Sequence, residues 1–116
     1  MVKTQKQAPK QGEIIWVDFD PQSGHEQAGR RPALVLSHTT YNQKLKRAFV
    51  CPITSKVKGY PFEVRVKTAT IDGVVLSDHF KNIDWTTRNT KLTGEQVSPS
   101  ELEAVWGIVQ SIVALP

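Results

Sequence analysis

Residues 13–20 read EIIWVDFD, and residues 24–32 read GHEQAGRRP. The first stretch carries two alternating apolar sets, which are Ile15, Val17 and Phe19, and Ile14 and Trp16. Because the side chains of a strand point alternately to opposite faces, this alternation predicts a strand that is covered on both faces for part of its length.

Several shorter strands are predicted along the chain, at 33–37, 48–53, 62–67, 74–76 and 79–85. In the third of these, the alternation places Phe62, Val64 and Val66 inward and Glu63, Arg65 and Lys67 outward, as in a half-exposed antiparallel strand. Residues 39–45 are expected to form a short helical turn with Thr40 as its cap. The pair Asp72-Gly73 is a turn signal.

A C-terminal helix is predicted from Ser98-Pro99-Ser100-Glu101, which has the sequence of a capping box with proline at the first helical position. Apolar residues follow at helical spacing: Leu102, Val105, Trp106, Val109, Ile112 and Val113. Five or six short strands and one helix predict a mainly β fold, a small barrel-like sheet with the helix packed on it. Core packing explains the broad apolar face of the helix best, although a dimer contact could share it.

The chain of 116 residues is long enough for one compact domain. Residues 1–11 form a leader that is rich in glutamine and poor in apolar residues, and we expect it to be flexible. The domain is expected to span residues 12–116. No apolar run approaches the roughly 18 residues that a membrane span needs, and no signal peptide is evident, so we expect a cytoplasmic protein. The single cysteine, Cys51, allows no internal disulfide and no cysteine-based metal cage, and suits a buried strand position.

Charge is distributed unevenly along the chain, whose formal net charge is +4. Residues 13–91 hold 12 basic and 8 acidic residues, whereas residues 92–116 hold only three charged ones, Glu95, Glu101 and Glu103. A polyanionic partner is therefore expected to meet the first part of the body and to avoid the last.

The loop from Gly24 to Pro32 contains an imidazole, a carboxylate, an amide and two guanidinium groups. Glycine lets the backbone approach a ligand closely, proline stiffens the loop exit, and arginine offers planar donors that suit phosphate oxygens. The sequence therefore predicts an anion or phosphate site in this loop.

Five ordered segments of the chain resemble the MazF/PemK family of toxin endoribonucleases. They are Trp16-Val17-Asp18-Phe19-Asp20-Pro21, Gly24-His25-Glu26-Gln27, Gly29 to Pro32, Pro52-Ile53-Thr54-Ser55 and Lys58-Gly59-Tyr60-Pro61-Phe62-Glu63-Val64. The resemblance runs in register from about Gln11 through the C-terminal helix. It implies an SH3-like barrel of the CcdB/PemK type, a homodimer, cleavage of single-stranded RNA without a metal or cofactor, and inhibition by a cognate MazE-like antitoxin.

Such cleavage uses the 2′-hydroxyl of the RNA as nucleophile and needs a base, donors for the charge on phosphorus and a proton for the leaving 5′-oxygen. Arg31 is the candidate for binding the phosphate in its transition state. The resemblance implies that Thr54 binds the same phosphate together with Arg31. Glu26 and His25 are rival candidates for the base; we place Glu26 with the catalytic residues and His25 with the RNA contacts.

The PemK branch of the family has an arginine where this chain has Leu76. That departure favours a MazF-like site centred on Arg31 and Thr54, and leaves His25 and Asp78 as candidate RNA contacts. The remaining candidate RNA contacts are Gln27, Arg30, Ser55, Lys56, Lys58, Tyr60, His79, Lys81 and Arg88. Lysines with an interleaved aromatic ring suit single-stranded nucleic acid, because bases stack on the ring.

Two other functions remain open at this point. A CcdB-like toxin of the same fold would poison a topoisomerase and would not need the pairing of Arg31 with Thr54. A plain SH3-like binding module would leave the chemistry of the loop at residues 24–32 unexplained.

Overall fold

The computed structural model describes residues 5–19 and 29–115. Its elements are β1 (Glu13–Phe19), β2 (Gly29–Val35), α1 (Thr39–Leu45), β3 (Arg47–Thr54), β4 (Glu63–Lys67), β5 (Asp72–Leu76), β6 (Lys81–Asp84), β7 (Lys91–Gln96) and α2 (Pro99–Val113). The strands form one antiparallel sheet in the order β4-β5-β3-β2-β1-β7, and β6 pairs with β3 beside this path. The predicted mainly β fold with a C-terminal helix is confirmed.

Strand β3 is the junction of the sheet. One of its edges pairs with β2 through residues 50–52, and its other edge pairs first with β6 through residues 47–50 and then with β5 through residues 53–54. The sheet therefore divides at β3, and the β5-β4 hairpin extends from the end of that strand.

The two ends of the sheet path are joined by side chains. The carboxylate of Glu95 in β7 accepts hydrogen bonds from the hydroxyls of Thr68 and Thr70, which follow β4, and the backbone N–H of Lys67 donates to Glu101 of α2 at 3.3 Å. Within residues 5–19 and 29–115, no strand pairing connects β4 with β7. The closed SH3-like barrel therefore stays a prediction.

Two apolar clusters cover the two faces of β1, β2 and β3. Cluster 1 lies under α2 and contains Ile14, Leu34, Cys51, Ile53, Val66, Ile71, Val75, Val97, Val105 and Val109. Cluster 2 lies on the opposite face and contains Ile15, Val17, Phe19, Ala33, Val35, Ala48, Val50, Ile83 and Trp85. The alternating sets of the first strand are thus both buried as predicted, except for the partly buried Trp16.

Helix α2 begins as the sequence predicted. The Ser98 hydroxyl accepts from the Glu101 N–H at 3.1 Å, and the Glu101 carboxylate accepts from the Ser98 N–H at 2.7 Å. The interpretation of the apolar face as core holds for the buried Val105 and Val109 and for Leu102, which is partly buried against cluster 1. It does not hold for Trp106, Ile112 and Val113, which are exposed. None of the helices in the described ranges is long and apolar enough to cross a membrane.

Several element boundaries differ from the predictions. Asp72-Gly73 does not form a turn: both residues belong to β5, and the turn lies at residues 68–71, where the Thr68 N–H donates to the Ile71 carbonyl at 2.8 Å. Helix α1 spans the predicted residues but is preceded by His38, so Thr40 is not its cap. Phe62 precedes β4 and is 41% exposed, not inward. The sequence reading also missed β7.

The buried amide of Asn42 joins the N-terminal segment to α1. The side-chain Nδ2 of Asn42 donates to the backbone carbonyls of Pro9 and Ser37, and its Oδ1 accepts from the Ser37 hydroxyl. The backbone carbonyl of Asn42 accepts from the Trp85 indole N–H at 2.9 Å. Gln11 adds a hydrogen bond to the Leu36 carbonyl. The described part of the leader, residues 5–11, is therefore attached to the domain, and residues 1–4 lie outside the described ranges.

We expect Asn42→Ala to lower the free energy of unfolding by about 2 to 3 kcal/mol, because it leaves buried carbonyl and hydroxyl groups without their partner. Urea denaturation measures the change. Gln43→Ala is the matched control, since Gln43 is the next residue of α1 and is exposed; its effect should stay within about 0.5 kcal/mol. Equal losses in the two variants would contradict the role given to Asn42.

Candidate active site

Arg31 lies near the start of β2 and Thr54 at the end of β3, the strand that pairs with β2. In this ladder Ala33 pairs with Pro52, Leu34 with Cys51 and Val35 with Val50. The same antiparallel register, continued by two residues beyond its last pair, would set Arg31 opposite Thr54. Directly opposite residues share a face of the sheet, so both side chains lie on the face that carries cluster 2.

Arg31 belongs to a strand and not to a loop. It is the third residue of β2 and pairs with Val17 of β1. The sequence predicts a loop as far as Pro32, but residues 29–32 already belong to β2. Their backbone is paired with β1. A guanidinium on a paired strand has a defined direction, which a loop alone would not give it.

Thr54 is the last residue of β3 and only 8% exposed. Its hydroxyl oxygen accepts a hydrogen bond from the Lys56 N–H at 3.1 Å. Its backbone is packed against β5: a β-carbon built on Gly73 would lie 2.5 Å from the Thr54 carbonyl oxygen. Glycine is therefore required at residue 73 for close approach of the two strands.

Arg30 lies on the opposite face of β2 from Arg31, because consecutive strand residues alternate. Its Nη1 lies 3.1 Å from the Asp18 carboxylate and donates to the Asn89 carbonyl at 2.7 Å. Arg88 lies beside the same residue, with its Nη1 3.3 Å from the Asp18 carbonyl. Arg30 and Arg88 thus meet around Asp18, and Arg30 is separated from Arg31 by the sheet.

Lys81 of β6 shares the face of Arg31 and Thr54. It pairs with Val50, a residue of cluster 2, and its Nζ lies 5.7 Å from the centroid of the Phe19 ring. The ammonium group is therefore held near the end of β1, which pairs with the start of β2.

The loop at residues 55–62, which joins β3 to β4, is exposed throughout. Its backbone is tied to Glu63, whose carboxylate accepts from the Lys58 N–H at 3.1 Å and from the Gly59 N–H at 2.9 Å. Gly59 has a φ of +80°, a conformation that favours glycine. The candidates Ser55, Lys56, Lys58 and Tyr60 all lie on this loop.

Asp78 and His79 follow the end of β5. The His79 Nε2 lies 3.8 Å from the Asp78 carboxylate, and the His79 N–H donates to the Leu76 carbonyl. Leu76 in turn pairs with Glu63, so these two candidates lie beside the base of the loop at residues 55–62.

The candidates His25, Glu26 and Gln27 lie outside the described residues. Among the ranges 5–19 and 29–115, no group of three histidine, cysteine or carboxylate side chains is arranged to hold a metal ion. Cys51 is buried as predicted; burial, and to a lesser extent the charge of Asp78, raises the pKa of its thiol to about 12, so it is not a nucleophile at neutral pH.

Two residues that shape the site were missed by the sequence reading. The sequence predicts a turn at Gly73, although an isolated glycine within a strand pattern also signals close backbone approach, as it does here. Glu63 was assigned only an outward position on its strand, and the sequence carries no signal that its carboxylate binds the loop before it.

Comparison with known proteins agrees with this fold. A family model described as PemK-like, MazF-like toxin of type II toxin–antitoxin system matches residues 10–113. The endoribonuclease toxin MazF of Escherichia coli strain K12 is 47% identical over 97 residues, which cover 84% of this chain and 86% of that protein. The chain belongs to this toxin family.

Solved structures agree as well. MazF from Deinococcus radiodurans superposes with a TM-score of 0.86 and 41% identity, covering 93% of this chain and 98% of that one. A chain of the MazE–MazF complex from the same organism gives a TM-score of 0.81 at 41% identity, covering 94% of this chain and 98% of that one.

We expect Gly73→Ala to lower the free energy of unfolding by about 1 to 3 kcal/mol, because the added methyl group must displace the Thr54 carbonyl or the β5 backbone. Gly107→Ala is the control, since a β-carbon there meets nothing within 4 Å. Gly107 lies inside α2, so alanine should stabilise the protein by up to about 1 kcal/mol. Denaturation of both variants measures the difference, and effects of the same sign would contradict the close approach.

Proposed function

We propose that this chain is a sequence-selective endoribonuclease toxin that cleaves single-stranded RNA without a metal ion or cofactor. The observation that supports the proposal best is the register of β2 and β3, whose continuation by two residues would bring Arg31 to the position opposite Thr54. A guanidinium and a nearly buried hydroxyl on one face of a sheet would form two donors for a single phosphate.

In the proposed reaction the 2′-oxygen of a nucleotide attacks the adjacent phosphorus. The new bond joins the 2′-oxygen to phosphorus, and the bond from phosphorus to the 5′-oxygen breaks, which leaves a 2′,3′-cyclic phosphate and a 5′-hydroxyl. A base takes the proton of the 2′-hydroxyl, and the leaving oxygen receives a proton. Glu26 and His25 remain the rival candidates for the base.

Arg31 and Thr54 would stabilise the charge that develops on the phosphoryl oxygens. The Thr54 oxygen accepts from the Lys56 N–H, which leaves its own proton to donate to a phosphate oxygen. Because the backbone of Thr54 is fixed by its contact with Gly73, this donor is already oriented before RNA binds.

The exposed side chains around this pair would bind the rest of the RNA. The loop at residues 55–62 offers Lys56 and Lys58 for phosphates and Tyr60, which is 59% exposed, for stacking on a base. Lys81 adds a cation on the same face. His79, Asp78 and Ser55 lie at the base of the loop, whereas Arg30 and Arg88 would contact RNA only beyond the end of the sheet.

We further propose that the chain forms a homodimer through the apolar groove between α2 and the sheet. This groove has a volume of about 770 Å³, and its apolar lining includes Leu36, Phe49, Phe80, Leu102, Trp106 and Val109. Exposed aromatic residues of this kind are enriched in interface cores. A cognate MazE-like antitoxin is the proposed inhibitor, by analogy with the solved MazE–MazF complex, and the cytoplasm is the proposed location.

The cleavage proposal is tested by incubating the chain with a long single-stranded RNA in excess EDTA and mapping the ends. We expect cuts with cyclic phosphate and 5′-hydroxyl ends, and a loss of about 10² to 10³ in rate for Arg31→Ala. Thr54→Val should lose much of the rate and Thr54→Ser should retain more, since serine keeps the hydroxyl.

Arg47→Ala is the charge-matched control, because Arg47 is exposed at the other end of β3 and binds Asn82. Absence of cleavage by the folded wild-type chain would reject the nuclease and favour a same-fold toxin such as a topoisomerase poison. Cleavage that EDTA abolishes would reject the metal-free mechanism.

The dimer is tested by Trp106→Glu, which we expect to yield a monomer in sedimentation equilibrium, since a charge would be buried in the interface. Ala104→Glu is the control on the same helix, because Ala104 is exposed and lies on the side turned away from the groove. A monomeric wild-type chain, or dimers in both variants, would count against the groove as the interface.

A further inference from the structure

A row of opposed residues continues from the candidate active site across two more strands. Thr54 at the end of β3 pairs with Val74 of β5, and Val74 pairs with Arg65 of β4. Directly opposite residues share a face, so Arg65 stands on the same face as Thr54 and Arg31. The row thus has an arginine at each end and a threonine between them.

The distance across this row suits one RNA strand. Neighbouring strands of a sheet lie about 4.8 Å apart, so the three steps from β2 to β4 separate the backbones of Arg31 and Arg65 by at most about 14 Å. Both arginine side chains are long, and a single-stranded RNA crosses such a span within a few nucleotides. The two guanidinium groups can therefore bind different phosphates of one strand.

Arg65 is accessible to such a phosphate. Its side chain is 66% exposed and forms an ion pair of 3.0 Å with the Asp72 carboxylate, which is 50% exposed. Exposed ion pairs contribute about 0 to 1 kcal/mol, so exchanging this carboxylate for a phosphate costs little. Lys67, which pairs with Asp72 on the same strand face, adds a second cation beside it.

A second carboxylate on β4, that of Glu63, is already hydrogen-bonded elsewhere. Glu63 lies two residues before Arg65 on the same outward face of β4, but its carboxylate accepts hydrogen bonds from the backbone of Lys58 and Gly59. This internal pairing reduces its repulsion of a phosphate and holds the loop at residues 55–62 beside the row.

We propose that Arg65 is a phosphate-binding residue for the RNA strand on one side of the cleaved bond. The inference rests on the proposed function, because it assumes that the reacting phosphate lies at Arg31 and Thr54. Arg65 binds a phosphate a few nucleotides away and takes no part in the bond changes. Arg65 thereby extends the proposed RNA-binding surface from the loop at residues 55–62 onto β4.

The test measures binding of a single-stranded 2′-fluoro oligoribonucleotide, which lacks the attacking hydroxyl, over a series of salt concentrations. Loss of one phosphate contact on a single strand reduces the slope of log affinity against log salt by about 0.7. We expect Arg65→Gln to show this reduction and to weaken binding about 3- to 10-fold at low salt, whatever the base sequence. Arg65→Lys should retain the slope, because it keeps the cation.

Arg47→Gln is the matched control, since it removes the same charge from an exposed strand residue on the opposite face of β3. Its salt slope should equal that of the wild-type chain. With cleavable RNA, the defect of Arg65→Gln should appear in KM and that of Arg31→Ala in kcat, which separates distant binding from chemistry.

Equal slopes for Arg65→Gln and the wild-type chain, or equal losses for the variants at residues 65 and 47, would overturn the inference. A defect of Arg65→Gln in kcat as large as that of Arg31→Ala would overturn it too. A wild-type chain that binds the oligonucleotide but does not cleave RNA rejects the nuclease proposal alone, and the slope comparison still decides the role of Arg65. A wild-type chain that does not bind at all rejects both.

Discussion

The antiparallel pairing of β2 with β3 is the interaction on which the core and the candidate site both depend. Its three residue pairs, between residues 33–35 and 50–52, lie between the two apolar clusters and contribute side chains to each. The same register, carried two residues further, would set Arg31 opposite Thr54, as the proposed site requires. A slip of one residue would turn one of these two side chains to the other face, and would also expose half of the core on that strand.

This dependence explains why neighbouring arginines have different surroundings. Arg30 and Arg31 are adjacent in sequence, yet the alternation of the strand directs one toward Asp18 and the other toward the face of Thr54. Asp18 of β1 lies directly opposite Arg30 of β2, and the two form an ion pair. This ion pair stabilises the start of β2, the strand that carries Arg31. Structural pairing and the proposed phosphate binding are thus divided between the two faces of one strand.

The sequence predicted those elements whose burial leaves a periodic pattern. The alternation in residues 13–20 and the capping box at Ser98 both led to correct elements, because each signal is local. Strand β7 was missed since its sequence, KLTGEQ, contains one large apolar residue and a glycine, and its pairing with β1 supplies the stability that its own side chains do not. The start of β2, with the sequence GRRP, likewise lacks large apolar residues and is held by its pairing with β1, so the sequence predicts a loop there.

The candidate site, like the fold, is determined partly by the sequence and partly by the tertiary structure. The sequence by itself determined which residues are chemically suited to bind a phosphate, because a guanidinium, a hydroxyl and lysines near an aromatic ring are recognisable from their types and order. Only the tertiary structure decided which of them share a face, since opposition across β2, β3, β5 and β4 depends on register between segments distant in the chain. It also decided the roles of Gly73 and Glu63, because a close approach and a carboxylate bound to backbone amides exist only after those segments have met.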